Sequence, residues 1–311
     1  MDISVDYKSE TGETSDLFFH MTFLAFIKHM AFAGQGFSPR PQKLLRILGM
    51  FLRYSFYLNV ESFNQNRFSE PPILLSDPTE KAQFSNIAGK AIADFLSKQI
   101  NGSSFTVNYE ALMKLKNIPI KGRRPDLISF SRDTFFAIEA KGRWQNSPGN
   151  MAKHKLQAQS GEIRVPFSIA SIAYNLYNNV VCTYHDPVND NVPYDAEALT
   201  MLTRDYYAGL SEFLNREWFS YEDFEFGGES FYAVEPVYQK FAKYLWAEYS
   251  FEPIEFSWFL RYPHLQLILP KKIWEYAKNG ISRDTQPFRF GSISQNNNIY
   301  IDNDGVGLRI F

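Results

Sequence analysis

The stretch Arg123-Arg124-Pro125-Asp126-Leu127-Ile128-Ser129-Phe130-Ser131-Arg132-Asp133-Thr134-Phe135-Phe136-Ala137-Ile138-Glu139-Ala140-Lys141 decides how this chain is read. It holds two β-prone runs, 124–131 and 134–141, and in the second Glu139 and Lys141 are two apart, so both leave one face of a strand. A hairpin with an even loop centred on Arg132-Asp133 pairs residues whose numbers sum to 265. Ser131 then meets Thr134, Phe130 meets Phe135, and Asp126 meets Glu139. Directly opposed Cβ atoms lie about 5 Å apart, where like charges repel unless something positive stands between them. Magnesium suits that gap, because it binds one or two carboxylates and keeps positions for water and a phosphate oxygen. Lys141 is placed to position a nucleophile or to stabilise developing negative charge.

Working outward, Ser76-Asp77-Pro78-Thr79-Glu80 is a helix start, with Asp77 as cap, Pro78 at the first helical position and Glu80 in the first turn. The helix is expected to run to about Lys98, with Phe84, Ile87, Ala88, Ala91, Ile92 and Phe95 as one apolar stripe. Glu80 lies four residues before Phe84, in line with that stripe, so its carboxylate is aimed toward the protein and is a candidate to complete the metal shell. A β-prone run at 104–113 follows. After the hairpin come a Gly/Pro/Asn loop at 146–150, a helix from 151 or 152, and a mixed segment that ends in a buried strand, Val180-Val181-Cys182-Thr183-Tyr184. The order is helix-strand-strand-strand-helix-strand, an α/β arrangement.

The charge distribution agrees with a polyanionic partner. Residues 111–170 carry eleven Lys and Arg against four acids, a net of +7 in a chain whose total is −2, which leaves −9 for the rest. Arg123, Arg124, Arg143, Lys153, Lys155 and Gln157 are the candidates for nucleic-acid contact. The 311 residues are 45% hydrophobic, enough for a large core, and the single cysteine, Cys182, excludes an intramolecular disulfide and a Cys-based zinc site. A small buried hydrophobe is the expectation for Cys182, and a reducing, cytoplasmic setting follows. Five acids in the first twenty residues contradict a secretory leader, and the apolar stretch 17–32 is broken by His20, Lys28 and His29, so no membrane span is expected. The five histidines show no metal-ligand spacing, and neither a Gly-rich phosphate loop nor a nucleophile elbow is present.

Pro125-Asp126 with Glu139-Ala140-Lys141 resembles the PD-(D/E)XK nuclease superfamily, the restriction endonuclease-like fold, over roughly residues 76–186. The resemblance implies that Asp126 and Glu139 bind Mg²⁺ or Mn²⁺, that Lys141 assists the nucleophilic water, and that Glu80 on the preceding helix joins them. It implies a nuclease, in endonuclease mode, hydrolysing phosphodiesters of DNA in restriction, anti-phage defence or repair. An RNA-cleaving toxin or defence effector, and a non-catalytic nucleic-acid-binding subunit, are the other readings; a homodimer or a partner subunit of a defence complex is compatible with each. The intact Lys141 favours catalysis, since binding alone does not require it. Gln157 is followed at the relevant spacing by Gly161, so the Gln-x-x-x-Tyr of the RecB-like branch is not matched.

The expected division is an N-terminal helical region at 1–75, the nuclease core at 76–190, and a C-terminal helical region at 191–311. Residues 17–57 read as two helices joined at Gly34-Gln35-Gly36, a plain helical hairpin in preference to a helix-turn-helix DNA reader. Long mixed patterns at 195–218 and 234–249 predict helices, and 299–311 predict a hairpin around Asn303-Asp304-Gly305. Asp302-Asn303-Asp304-Gly305 has the opening of a calcium loop, but the distal Glu is missing and a turn is the better reading.

Overall fold

The computed structural model describes residues 1–9, 11–34, 54, 57–70, 77–185, 192–215, 217, 219–237, 240, 265–283, 294–295 and 298–310. Its elements in chain order are β1 (Asp2–Lys8), β2 (Thr14–His20), α1 (Phe23–Phe32), α2 (Val60–Asn64), α3 (Pro78–Asn101), β3 (Phe105–Asn108), α4 (Tyr109–Leu115), β4 (Leu127–Phe130) and β5 (Phe135–Gly142). They continue with α5 (Met151–Gln159), β6 (Phe167–Tyr174), β7 (Val181–His185), α6 (Ala196–Ser211), β8 (Phe219–Phe226), β9 (Glu229–Pro236), β10 (Gln266–Pro270), α7 (Ile273–Asn279), β11 (Ser294–Gln295), β12 (Ile299–Ile301) and β13 (Gly307–Arg309). The class is α/β. A seven-stranded mixed sheet has the order β2-β1-β7-β6-β5-β4-β3, and a six-stranded antiparallel sheet has the order β11-β12-β13-β10-β9-β8.

The first sheet is parallel at two joints, β5 with β6 and β1 with β7. The β5-to-β6 connection runs through α5, the helical crossover that parallel neighbours need. α3 begins as its sequence predicts: Asp77 caps the Thr79 N–H at 2.7 Å, Pro78 opens the first turn, and Gly102 ends the helix in the left-handed region at φ 63°. Its stripe of Phe84, Ala88, Ala91, Ile92 and Phe95 is fully buried and packs on β5 and β6. Each large side chain of that stripe contributes roughly 1.5–3 kcal/mol by leaving water.

Two glycines let α3 lie directly on β5. A Cβ at Gly89 would meet the Gly142 nitrogen at 2.3 Å, and one at Gly142 would meet the Ser85 carbonyl oxygen at 1.7 Å. A mid-helix glycine, otherwise a cost in helix propensity, here sets the depth at which the helix meets the strand.

The flanks differ from the expectation of mainly helical additions. At the N terminus β1 and β2 form a hairpin that extends the main sheet, and residues 17–20 belong to β2. Leu17 and Phe19 are partly buried while Phe18 is 73% exposed, an alternation of period two inside what reads as a continuous apolar run. Only α1 of the expected helical hairpin is described; most of its second helix lies outside the described residues. At the C terminus α6 matches the helix expected at 195–218, but the expected helix at 234–249 opens inside β9, whose pairing with β8 and β10 claims its first residues, and the remainder lies mostly outside the described residues. The run 104–113 splits at Asn108, whose side chain caps the Glu110 N–H and starts α4. The stretch between α5 and β7 contains the further strand β6.

The terminal hairpin β12–β13 closes at Asp302–Gly305 as expected, and its acids are taken up by the protein itself. Lys28 from α1 donates to Asp302 at 2.5 Å and to Asp304 at 2.7 Å, while Lys98 from α3 donates to Asp302 at 2.9 Å. Beside them His29 bridges Asp94 at 2.6 Å and the Tyr300 hydroxyl at 2.7 Å, all of it buried. This network ties both helices to the second sheet. It consumes the carboxylates that a calcium loop would need.

Candidate functional site

The β4–β5 hairpin keeps the predicted register over its length. Leu127 pairs with Ile138, Ile128 with Ala137, Ser129 with Phe136 and Phe130 with Phe135, and the Ser131 N–H donates to the Thr134 carbonyl across the loop. At Asp126 the ladder changes. The Asp126 N–H donates to the Ile138 carbonyl at 3.0 Å, so Asp126 and Leu127 both oppose Ile138 in a β-bulge, and Asp126 does not stand directly opposite Glu139. Pro125 immediately before it has no N–H to give to a ladder. The bulge turns the Asp126 side chain inward along β5, where Oδ2 accepts from the Ala140 N–H at 3.2 Å.

Glu139 and Lys141 share a face of β5, as the period of two requires, and Lys141 gathers both carboxylates. Its Nζ is 2.7 Å from Glu139 Oε1 and 3.3 Å from Asp126 Oδ2. The Glu139 side chain is completely buried, and the charge that meets it is the Lys141 ammonium, 2.7 Å from Oε1. Burial first, then the neighbouring Asp126 charge, pushes the Glu139 carboxyl up to about 7 against the pull of Lys141. Lys141 is itself raised: burial works against its charge, and the Asp126 and Glu139 carboxylates outweigh it.

An ammonium that the sequence reading did not single out completes the cluster. Lys90 Nζ, from α3, lies 3.1 Å from Asp126 Oδ1, so Asp126 is flanked by Lys90 and Lys141. The available signal was Gly89: a helix glycine marks close approach, and the next residue borders that contact. His154, on α5, is close enough to Lys141 for its charge, added to burial, to lower the imidazole pKa.

Glu80 is not brought into this cluster. Ten residues, roughly 15 Å of helix rise, separate it from Lys90, and its charge is felt instead at Tyr57. Among the described residues no three His, Cys, Asp or Glu gather into a metal-holding group. An apolar stripe specifies a face of the helix but not the level along its axis at which a site lies.

The basic candidates divide by their neighbours. Arg123 is exposed beside Asp126, and Lys153 is exposed on α5. Arg124 is committed to the fold: it donates to Glu110 through two guanidinium nitrogens and to the Gly122 carbonyl at 2.9 Å. Arg143 folds onto the 146–150 loop through the Pro148 carbonyl at 3.3 Å, with its Nε buried. Gln157 reaches the Arg124 carbonyl at 3.4 Å and borders the Asp126 side of the site. Lys155 acts on His185 at the end of β7 and so lies on another side of α5.

The donor set fits a hard divalent cation. Glu139 supplies two buried oxygens, one of them 2.7 Å from the Lys141 ammonium, and Asp126 supplies a second carboxylate beside them. Cys182 is buried, its thiol pushed up to about 12 by burial, and it takes no part. No helix among the described residues is long and apolar enough to cross a membrane. No protein-family model matches the chain, and no curated protein and no solved structure matches it either.

Proposed function

We propose that this protein is a metal-dependent nuclease of PD-(D/E)XK type that hydrolyses phosphodiester bonds, with DNA as the expected substrate. The observation that carries the reading is the convergence of Asp126 and the fully buried Glu139 on the Lys141 ammonium. Burying a carboxylate is costly unless cations meet its lone pairs; Lys141 meets one oxygen, and a metal ion would meet those that remain in the working state. The succession α3, β3, β4, β5, α5, β7 supports the expected helix-strand-strand-strand-helix-strand order, with α4 inserted after β3 and the unexpected strand β6 before β7.

In this reading Asp126 and Glu139 hold Mg²⁺ or Mn²⁺, which supplies charge neutralisation at the phosphate and a more acidic bound water. Asp126 is oriented by the Ala140 N–H and Glu139 by its place inside the sheet. Lys141 stands between the carboxylates and open solvent at 30% exposure, so its ammonium reaches both the metal ligands and an incoming phosphate, where it holds the nucleophile or offsets developing charge. Lys90 and Arg123 add positive charge on the Asp126 side.

The test is incubation of the purified full chain with plasmid, single-stranded DNA and RNA, with Mg²⁺, Mn²⁺ or EDTA. Cleavage of DNA that EDTA abolishes supports the proposal. Cleavage of RNA alone assigns the same site to an RNA-cleaving effector, and binding with no cleavage of any substrate assigns the chain to a non-catalytic nucleic-acid-binding role.

A further inference from the structure

Beside the carboxylate pair, on the Asp126 side, lies an open cavity of about 390 Å³. Four separate parts of the chain build its wall. Lys90 comes from α3, Asn108 from the end of β3, Arg123 from the loop before β4, and Gln157 from α5, with Asp126 at the border with the carboxylate site. The lining is mainly polar. It offers no aromatic ring on which a base could stack, unlike a pocket built for a flipped base.

The charges inside it are unequally committed. Glu110 is held by Arg124, so those two cancel. Asp126 is shared between Lys141 and Lys90. That leaves the Arg123 guanidinium, exposed and with no hydrogen bond or ion pair among the described residues, and the Lys90 ammonium, which faces the cavity from the one carboxylate it shares with Lys141. Asn108 has its Oδ1 occupied by the Glu110 N–H, which leaves its amide N–H₂ as a donor, and an amide nitrogen with two cations is a donor set for phosphate oxygens.

We infer that this cavity is a phosphate-binding subsite, held by Lys90 and Arg123, for the phosphate that neighbours the scissile one on the same strand. The inference rests on the nuclease reading for the identity of the adjacent site. Lys90 links the two, since its ammonium lines the cavity and touches Asp126, so a phosphate in the cavity and a phosphate at the carboxylates lie within one side chain of each other. The occupant is either an internal phosphodiester or a terminal monophosphate. Both present the same oxygens.

The experiment is fluorescence anisotropy of the full-length protein in EDTA, where no cleavage can confuse the reading, with short labelled single-stranded oligonucleotides. One set carries a 5′-phosphate, a 3′-phosphate or neither; a second replaces single internal phosphates by neutral methylphosphonates. Wild type, Lys90→Met, Arg123→Ala and the double variant are compared after their thermal melts are shown to match. Removal of one particular phosphate is expected to weaken wild-type binding about tenfold and to cost the Lys90→Met and Arg123→Ala proteins little further, and the phosphate that does so names the source. Equal losses for every oligonucleotide, or no loss in either variant, would overturn the subsite. Arg123→Ala, on an exposed side chain, keeps the test informative should Lys90→Met misfold. Cleavage in Mg²⁺ is scored separately: coupling without cleavage leaves the subsite standing and removes the nuclease, whereas cleavage without coupling does the reverse.

Discussion

Lys141 Nζ stands 2.7 Å from Glu139 Oε1, two residues along the same face of β5, and 3.3 Å from Asp126 Oδ2 across the hairpin. One ammonium thereby serves two carboxylates that would otherwise repel each other. With Lys141 removed, Glu139 keeps its burial and loses its nearest counter-charge.

The buried carboxyl makes stability depend on pH. Glu139 is raised from 4.5 to about 7 in the folded protein, so the folded state binds the proton more tightly than the unfolded chain does. Stability is therefore fully present below about 4.5 and declines as pH rises toward 7, by an amount on the order of 3 kcal/mol if the whole shift is realised. Glu139→Gln should raise the metal-free Tm at pH 8 and flatten its pH dependence between 5 and 7. Melts of both proteins in EDTA across that range provide the check. A variant whose Tm falls with pH as steeply as the wild type would show that Glu139 is not the titrating group.

The contact between Gly89 and Gly142 should tolerate no side chain. Gly89→Ala puts a methyl 2.3 Å from the Lys141 carbonyl carbon and the Gly142 nitrogen, so α3 must withdraw from β5. The cost of such overpacking is about 1–3 kcal/mol, although alanine is the better helix former. Urea denaturation should show a lower midpoint, and because Lys90 and Lys141 flank the contact, activity should fall more than stability predicts. An unchanged midpoint would place the helix farther from the strand.

The buried network at the terminal hairpin should be intolerant of losing one member. Lys28 is completely buried between Asp302 and Asp304, and Lys28→Met leaves those two acids with Lys98 as the one ammonium among the described residues that still meets them. Breaking one side of such a cluster typically costs about 3–5 kcal/mol. Denaturant midpoints for Lys28→Met and for an exposed control, Lys153→Met, measure the difference, and equal midpoints would refute it.

What was legible in the sequence follows from which signals are local. The register of β4 and β5 came from loop parity and alternation, and it holds at all four paired positions. The helix start at Asp77-Pro78 is local as well, whereas the helix runs three residues past the expected Lys98, to Asn101 and its cap at Gly102. The bulge at Asp126 is not local, because it depends on where β4 leaves the ladder. Glu80 failed for a related reason: a stripe gives a face and not a level, and the level is set by Gly89 meeting Gly142. β2 was hidden because Leu17-Phe18-Phe19 is apolar on both faces of its strand, so its alternation shows only in the exposure of Phe18. Lys90 was one lysine among 32 basic residues until the fold set it beside Asp126.

Arg123 and Arg124 should part company, although they are adjacent in sequence. Arg124 holds Glu110 and the Gly122 carbonyl, so Arg124→Ala should lower stability, whereas Arg123→Ala should leave the melt unchanged and weaken nucleic-acid binding with a shallower salt slope. Gel-shift titrations at several salt concentrations beside thermal melts read both effects. Identical behaviour of the two variants would contradict the assignment.

The most direct test of the nuclease proposal is a timed cleavage assay of wild type and Lys141→Ala at saturating Mg²⁺, with binding followed in parallel. Lys141→Ala keeps both carboxylates and the positive rim formed by Lys90 and Arg123, so nucleic-acid binding should persist while cleavage falls by about 10²–10³-fold. Cleavage by Lys141→Ala at the wild-type rate would contradict the account, because the group on which Asp126 and Glu139 converge would then play no part in the reaction.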